Sequence, residues 1–295
     1  MGNQWSIGDY VCRLSHQKDI LFRIENIQQV NGTAVASLKG VDLRLWADAP
    51  LSDLERVSPS EINRLRQVYV RQSSDLMRNI EKRRAGTIDH FLSRAKINFK
   101  RPEMTEAEIF EMPGTVLHLD GDKEYLDLCL ATYRQLGITA YGFYVPESEQ
   151  ANVVRNYLME YMPDILVVTG HDGFIRGKKN FSALENYRNS RAFVQTVRRA
   201  REYAPGRDDL IIFAGACQSH YESLIQAGAN FASSPKRVLI HAYDPVFIAE
   251  KVAFTPFNQM VPIKETVSET ITGIDGVGGI ETRGRLRLGY PKSPY

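Results

Sequence analysis

Cysteine is scarce in this sequence. The 295 residues contain three, Cys12, Cys129 and Cys217, far apart and odd in number. That excludes a disulfide framework, and no CxxC pair is present to hold zinc. The usage fits a reducing compartment. An excess of one charge sign is also missing. The 37 Lys and Arg residues against 35 Asp and Glu leave a formal charge of +2, too small a field to draw the chain onto nucleic acid or an anionic membrane. No apolar run approaches the length that spans a bilayer. The opening MGNQWSIGDYVCRL has no basic segment followed by a long apolar one, so no signal peptide is expected. Met1-Gly2 with Ser6 invites a myristoylation reading, but the strand-like pattern from Ile7 onward argues against it. What is present is a hydrophobic fraction of 43 %, enough to fill a core, and a length that allows one large domain or two smaller ones.

Residues 1–58 read as a small β module. Ile7-Gly8-Asp9 is a turn into an alternating strand at Tyr10–Leu14, and Ile20–Ile24 is the next strand. Asn31-Gly32 is a strong two-residue hairpin signal before Thr33–Leu38, and Asp42–Trp46 is a further strand. Short strands separated by turns predict an SH3-like β-barrel. Trp5, Phe22 and Trp46 read as its packing residues. Residues 59–111 change character. Ser58-Pro59-Ser60-Glu61 starts a helix, and a basic series follows (Arg64, Arg71, Arg78, Arg83, Arg84), with a second patch at Arg94, Lys96, Lys100 and Arg101. The segment predicts helices with a loop near Gly86, a solvated connector rather than a nucleic-acid surface.

From Met112 the pattern becomes regular. Strands at Thr115–Leu119, Thr139–Val145, Asp164–Thr169, Leu210–Phe213 and Arg237–His241 alternate with helical stretches, the first of which Asp120-Gly121-Asp122 opens. Spacing of this kind predicts an α/β domain over 112–295 with a mainly parallel sheet covered by helices. The tail adds a short helix at Glu265–Ile271, a flexible turn at Gly276–Gly279 and an edge strand at Thr282–Leu288.

Two strand ends carry the chemistry. DLIIFAGACQSHYESLIQAG, from Asp209 to Gly228, is strand, glycine turn, cysteine, helix. A turn lifts the Cys217 sulfur off the strand, and a following helix N-terminus favours its thiolate. Upstream, Asp164–Gly173 is an apolar strand ending Thr169-Gly170-His171-Asp172-Gly173. Both ends would meet at the carboxyl edge of a parallel sheet. A cysteine nucleophile needs a base and an oxyanion hole. His171 is the expected base, the N–H groups near Gly173 and at Cys217 the oxyanion donors, and Asp172 either orients the imidazole or caps its loop. His220, three residues past Cys217, is expected to pack beside it. His241 offers a second arrangement, that of class I glutamine amidotransferases. Gly215-Ala216-Cys217-Gln218-Ser219 fits their elbow only partly, and no His-x-Glu follows. The order His before Cys favours a caspase-like peptidase.

Longer stretches carry a more specific likeness. Leu117-His118-Leu119-Asp120-Gly121-Asp122, Thr169-Gly170-His171-Asp172, Phe213 to His220, Ala227 to Pro235 and Gly278 to Gly284 resemble the YabG family of sporulation proteases, as do Ile7-Gly8-Asp9 and Asp19–Phe22. The resemblance spans the chain and is weakest across the connector. It implies a cysteine endopeptidase of endospore-forming bacteria that trims spore-coat proteins, cleaves after arginine and processes itself. The family's His and Cys fall on His171 and Cys217. The implied location is the mother-cell cytoplasm, in association with the spore coat. A substrate arginine needs a carboxylate at the floor of its pocket, because a buried guanidinium must be paired; Asp244, Asp275 and Glu281 are the expected residues. Arg83 and Arg84 are the expected self-cleavage sites. Ligand spacing indicates no metal and no cofactor. An amidase using Cys217 and His241, and a non-enzymatic coat scaffold with a buried Cys217, remain the alternatives.

Overall fold

Two large sheets and a small two-stranded one organise the described residues. The computed structural model describes residues 5–99 and 110–293, with the backbone alone along 87–99. The N-terminal sheet is antiparallel: β1 (Tyr10–Arg13), β2 (Phe22–Val30), β3 (Thr33–Gly40), β4 (Trp46–Pro50) and β5 (Leu54–Arg56), in the order β4-β3-β2-β1-β5. Asn31 and Gly32 join β2 to β3 at φ of 51° and 80°, the positive values that a tight hairpin demands. Val11, Phe22, Ile24, Ala36, Leu38 and Leu54 form the core beneath. Residues 42–44 depart from expectation. They do not continue as a strand of this sheet but leave it, and Leu43 bridges antiparallel to His241; the Leu45 carbonyl returns to accept from the Gly40 N–H (2.7 Å). Gly40 makes the exit possible, since a Cβ there would lie 2.4 Å from the Leu43 carbonyl oxygen.

A single helix, α1 (Pro59–Phe99), follows. It opens with a capping box, Glu61 N–H donating to Ser58 Oγ (3.3 Å) and Ser58 N–H to Glu61 Oε2 (3.2 Å). The expected break near Gly86 is absent. A helical glycine costs about 1 kcal/mol relative to alanine, and the tertiary anchors just upstream outweigh it. Ile80 is buried in the main core with Leu76 and Met77 against it. Arg83 and Arg84 both pair with the buried carboxylate of Glu250. The connector is therefore docked along this part rather than solvated. Lys100 and Arg101 of the second basic patch lie outside the described residues, as do the side chains of Arg94 and Lys96.

The second sheet is mixed α/β. After β6 (Phe110–Met112), the chain forms β7 (Val116–Asp120), α2 (Lys123–Gln135), β8 (Ala140–Tyr144), α3 (Glu147–Tyr161) and β9 (Ile165–Thr169). It continues with α4 (Ser190–Tyr203), β10 (Ile211–Ala214), α5 (Tyr221–Ala227), β11 (Phe231–Ser233), α6 (Asp244–Phe254), α7 (Ile263–Ser268), β12 (Val277–Gly279) and β13 (Arg287–Gly289). The sheet order is β12-β11-β10-β9-β7-β8, parallel throughout except for β12. Both faces are covered, which is why its central strands read as unbroken apolar runs. Ile165, Val167, Ile211 and Phe213 face a core completed by α1, α2 and α6; Leu166, Val168, Ile212 and Ala214 face α3, α4 and α5.

The C-terminal third departs furthest from the sequence reading. The strand beside β10 is Phe231–Ser233, while Arg237–Ile240 has no regular structure and His241 makes only its bridge to Leu43. The Gly-rich turn at 276–279 supplies edge strand β12, and β13 pairs with β6 instead of extending from Thr282. The Asp244-Pro245 turn opens a helix, α6, that is buried along its whole length.

Candidate active site

His171 and Cys217 stand past neighbouring parallel strands in register. Val168 of β9 pairs with Ala214 of β10, and each of the two residues lies three positions beyond its partner in that pair. Both therefore leave the sheet at the same level of its carboxyl edge, where α/β sheets hold their sites. Gly215 makes the turn before the cysteine at φ 108°, and a Cβ there would lie 2.8 Å from Leu224 Cδ1.

Cys217 is fully buried. The Ile240 N–H donates to its sulfur (3.2 Å), and its own S–H is directed at the Ile240 carbonyl (3.7 Å). Burial pushes the thiol up to about 12; the Ile240 N–H and the nearby Arg44 charge offset only part of that rise. The expected help from a helix N-terminus is missing for a geometric reason. Helix α5 begins four residues later, at Tyr221, and its cap is His220, whose Nδ1 accepts from the Ser223 N–H (3.3 Å).

The His171 imidazole is held by a residue that sequence reasoning treated only as a helix start. Asp122 caps α2 through Oδ1, which accepts from the N–H groups of Glu124 (2.9 Å) and Tyr125 (3.1 Å). Its Oδ2 lies 2.8 Å from His171 Nε2 and 2.7 Å from Lys39 Nζ. Burial opposes the Asp122 charge, but His171 and Lys39 together hold this carboxyl well below the usual range. The Trp46 indole N–H also approaches His171 Nε2, at 2.9 Å. One nitrogen cannot donate to a carboxylate and accept from an indole together. The ionised Asp122 places the proton on Nε2, which leaves Nδ1 as the basic nitrogen. Nδ1 is buried and has no hydrogen-bond partner among the described residues. The sequence signal for Asp122 was the doubled acid of Leu119-Asp120-Gly121-Asp122, where a helix cap needs only one.

Asp172 does not touch the imidazole. It braces the loop, with Oδ1 accepting from the N–H groups of Gly173 and Asn189 (both 2.8 Å) and Oδ2 from the hydroxyls of Ser190 and Ser219 (2.8 Å for Ser219). Through Ser219 it ties the His171 loop to the Cys217 loop. Burial raises its pKa, against these four hydrogen bonds. The Gly173 N–H, expected as an oxyanion donor, is thereby occupied by the Asp172 carboxylate in this structure. The Cys217 N–H has no acceptor among the described residues, so it remains available for that task.

The three acids expected to meet a substrate arginine sit apart from one another. Asp244 is buried, and four donors fill its acceptor sites: the N–H groups of His241 (3.0 Å), Ile271 (2.8 Å) and Thr272 (3.2 Å), and the Thr272 hydroxyl. Burial lifts its pKa to about 6, those hydrogen bonds opposing. Asp275 pairs with Lys236 (2.8 Å) at the surface. Glu281 is exposed and follows β12, which runs antiparallel from Ser233 back to Phe231, so it emerges at the opposite edge of the sheet from Cys217. His241 lies between the rings of Tyr69 (4.9 Å) and Tyr243 (5.1 Å). Burial, with the Arg44 charge adding to it, holds His241 neutral by lowering its pKa to about 3.

The N-terminal sheet covers this edge. Lys39 reaches Asp122, Trp46 meets His171 edge-on with ring centres 5.9 Å apart, and Arg44 is buried against Asp120 (2.7 Å). A cleft of about 400 Å³ stays open beside them, lined by Trp46, Glu147, His171, Gly173, Arg188 and Gln218. No hydrogen bond joins His171 to Cys217 among the described residues. Nor do the described residues include a cluster of three His, Cys, Asp or Glu side chains able to hold a metal ion, or a helix long and apolar enough to cross a membrane.

Comparison with known proteins gives a consistent picture. Residues 6–291 match the family described as YabG peptidase U57. The sporulation-specific protease YabG of Bacillus subtilis (strain 168) is 45 % identical over 295 residues, covering 98 % of each chain. Among solved structures, the receiver domain of the Francisella response regulator 1452 aligns with 48 % of this chain and 96 % of that one, at 12 % identity and a TM-score of 0.30, too low to carry an argument.

Proposed function

Since the chain belongs to the YabG peptidase U57 family, we propose that it is a cysteine endopeptidase in which Cys217 is the nucleophile and His171 the acid and base. The family makes it a sporulation-specific protease. The finer reading is cleavage after arginine in spore-coat proteins, and in the chain itself, on the mother-cell side of the coat. The observation that carries the catalytic assignment is the register of β9 and β10, which brings His171 and Cys217 to one level of one sheet edge. That order and placement also favour a caspase-like domain over 112–295, preceded by an SH3-like barrel (1–58) and a helical connector (59–111).

In this mechanism His171 Nδ1 takes the Cys217 thiol proton as the sulfur attacks the carbonyl carbon after the substrate arginine. The Cys217 N–H supports the oxyanion. The intermediate collapses to a thioester as the imidazolium returns its proton to the leaving amine, and water then hydrolyses the thioester with Nδ1 again accepting a proton. Asp122 keeps the ring in the tautomer that both steps need. Self-cleavage at Arg83 or Arg84 requires part of α1 to unwind first, because a peptidase cleft takes extended chain and both residues are helical and paired with Glu250.

The test is hydrolysis of an arginyl-aminocoumarin peptide by the wild type, Cys217→Ala, His171→Ala and His241→Ala, each checked for folding. The reading expects activity to vanish in the first two variants and survive in His241→Ala. Survival in His171→Ala with loss in His241→Ala would transfer the protein to the amidase class.

A further inference from the structure

One buried ion pair is foreign to the sheet it sits in. Arg44 comes from the loop between β3 and β4, yet its side chain is fully buried at the carboxyl edge of the second sheet. Its Nη1 donates to Asp120 Oδ2 (2.7 Å), and Nη2 reaches the Ala242 carbonyl (3.4 Å) and Cys129 Sγ (3.4 Å). Asp120 is the last residue of β7 and is fully buried. Its Oδ2 also accepts from the Thr169 hydroxyl (3.0 Å), and its Oδ1 from the Asp122 N–H (2.9 Å). Three of Arg44's contacts are thus with residues of the candidate active-site domain, and none of these is with its own sheet.

The backbone around Arg44 is equally telling. Residues 42–44 run antiparallel to 240–242: Ala242 N–H donates to the Asp42 carbonyl (3.1 Å), Arg44 N–H donates to the Ile240 carbonyl (3.3 Å), and Leu43 pairs with His241 between them. Ile240 is the residue whose N–H and carbonyl both engage the Cys217 thiol. An extended segment that adds itself as a strand beside the nucleophile, with one side chain sunk into a charged pocket, is how a peptidase holds a substrate. The Tyr125 hydroxyl, donating to the Leu43 carbonyl at the middle of the segment (2.6 Å), and the Lys39–Asp122 pair just before it fasten the segment.

We propose that Asp120 is the carboxylate that recognises the substrate arginine, and that Asp42-Leu43-Arg44 occupies the substrate's place in the resting protein as a built-in mimic. This rests on the arginine specificity proposed above. A guanidinium needs a fork of acceptors, and Asp120 with the Ala242 carbonyl supplies one. Substrate entry then requires the β3–β4 loop to withdraw, which also releases the Ile240 carbonyl from the Arg44 N–H and frees His171 from Trp46.

The experiment combines Arg44→Ala, Arg44→Lys, and Arg44→Ala with Asp120→Asn, read by two assays. The first is kcat/KM on an arginyl-aminocoumarin peptide; the second is the shift in melting temperature on adding agmatine, a free guanidine probe. Removing the mimic raises the fraction of protein open to substrate, so kcat/KM of Arg44→Ala is expected to rise about tenfold or more over wild type. Arg44→Lys keeps the charge against Asp120 and so protects the fold; it is expected to rise by a smaller factor. Agmatine is expected to stabilise Arg44→Ala and not the wild type, and Asp120→Asn is expected to abolish both gains. Unchanged kcat/KM in both Arg44 variants, or arginyl cleavage undiminished by Asp120→Asn, would overturn the proposal while leaving the peptidase reading in place. Asp120-dependent agmatine binding in a protein that cuts no arginyl peptide would keep the pocket and remove the peptidase reading.

Discussion

Cys217 in the intact protein is predicted to be a slow thiol. Burial raises it from an ordinary 9.0 to about 12, so at neutral pH it carries about a thousandfold less thiolate than an exposed cysteine. The higher pKa makes each thiolate more nucleophilic, and with a Brønsted slope of about 0.4–0.5 this returns roughly 20-fold. Ionisation alone therefore leaves alkylation about 50-fold slower than that of free cysteine, before the lid formed by Ile240 is counted. Iodoacetamide labelling at pH 7.5, followed by peptide mass mapping of the Cys217 peptide, measures the rate directly. Its pH dependence should climb through pH 9 without a plateau. Labelling as fast as free cysteine, or a plateau below pH 8, would refute the reasoning, because either requires a thiolate stabilised and exposed in the resting state.

The remaining predictions follow from neighbouring groups. Asp244, buried and raised to about 6, contributes stability that is fully present below its unfolded pKa near 4 and is lost as pH rises to about 6, about 3 kcal/mol in all. The melting temperature of Asp244→Asn minus that of wild type should therefore become more favourable between pH 4 and pH 7; a pH-independent difference would exclude this linkage. Asp122→Asn keeps a helix cap but removes the carboxylate that fixes the His171 tautomer, so kcat should fall by about 10²- to 10⁴-fold with KM little changed, while circular dichroism shows α2 intact. Glu250→Ala removes the buried carboxylate that Arg83 and Arg84 share, leaving Arg83 its pair with Glu269 and Arg84 its bond to the Leu136 carbonyl; because the arginines are partly exposed and keep these contacts, the loss should be about 2–3 kcal/mol in urea melts, below that of a fully buried pair. Trypsin should then cut the variant at Arg83 and Arg84 faster than wild type.

The parallel sheet was legible because apolar strands such as Ile165–Thr169 and Ile211–Ala214 end in glycine turns and alternate with amphipathic helices. The same pattern placed His171 and Cys217 correctly relative to the strands. What escaped the sequence was held by long-range contacts. Gly86 reads as a break, yet Ile80 and the Glu250 pairs carry α1 through it. Asp42–Arg44 has a strand's composition and does pair as one, but with residues 240–242 rather than with its own sheet. Phe231–Ser233 is three residues long, too short to show a period, whereas Arg237–His241 carries an apolar run that joins no sheet and pairs only at its end, with residues 42–44. Asp120 and Asp122 looked like a helix start, because nothing local reveals that Arg44, Lys39 and His171 converge on them.

The most direct test of the account is affinity labelling with an arginyl acyloxymethyl ketone followed by mass mapping. The account predicts a thioether at Cys217, formed in parallel with loss of arginyl-peptide hydrolysis and absent in His171→Ala. Full loss of activity with the label on another residue, or continued hydrolysis after Cys217 is fully labelled, would contradict it.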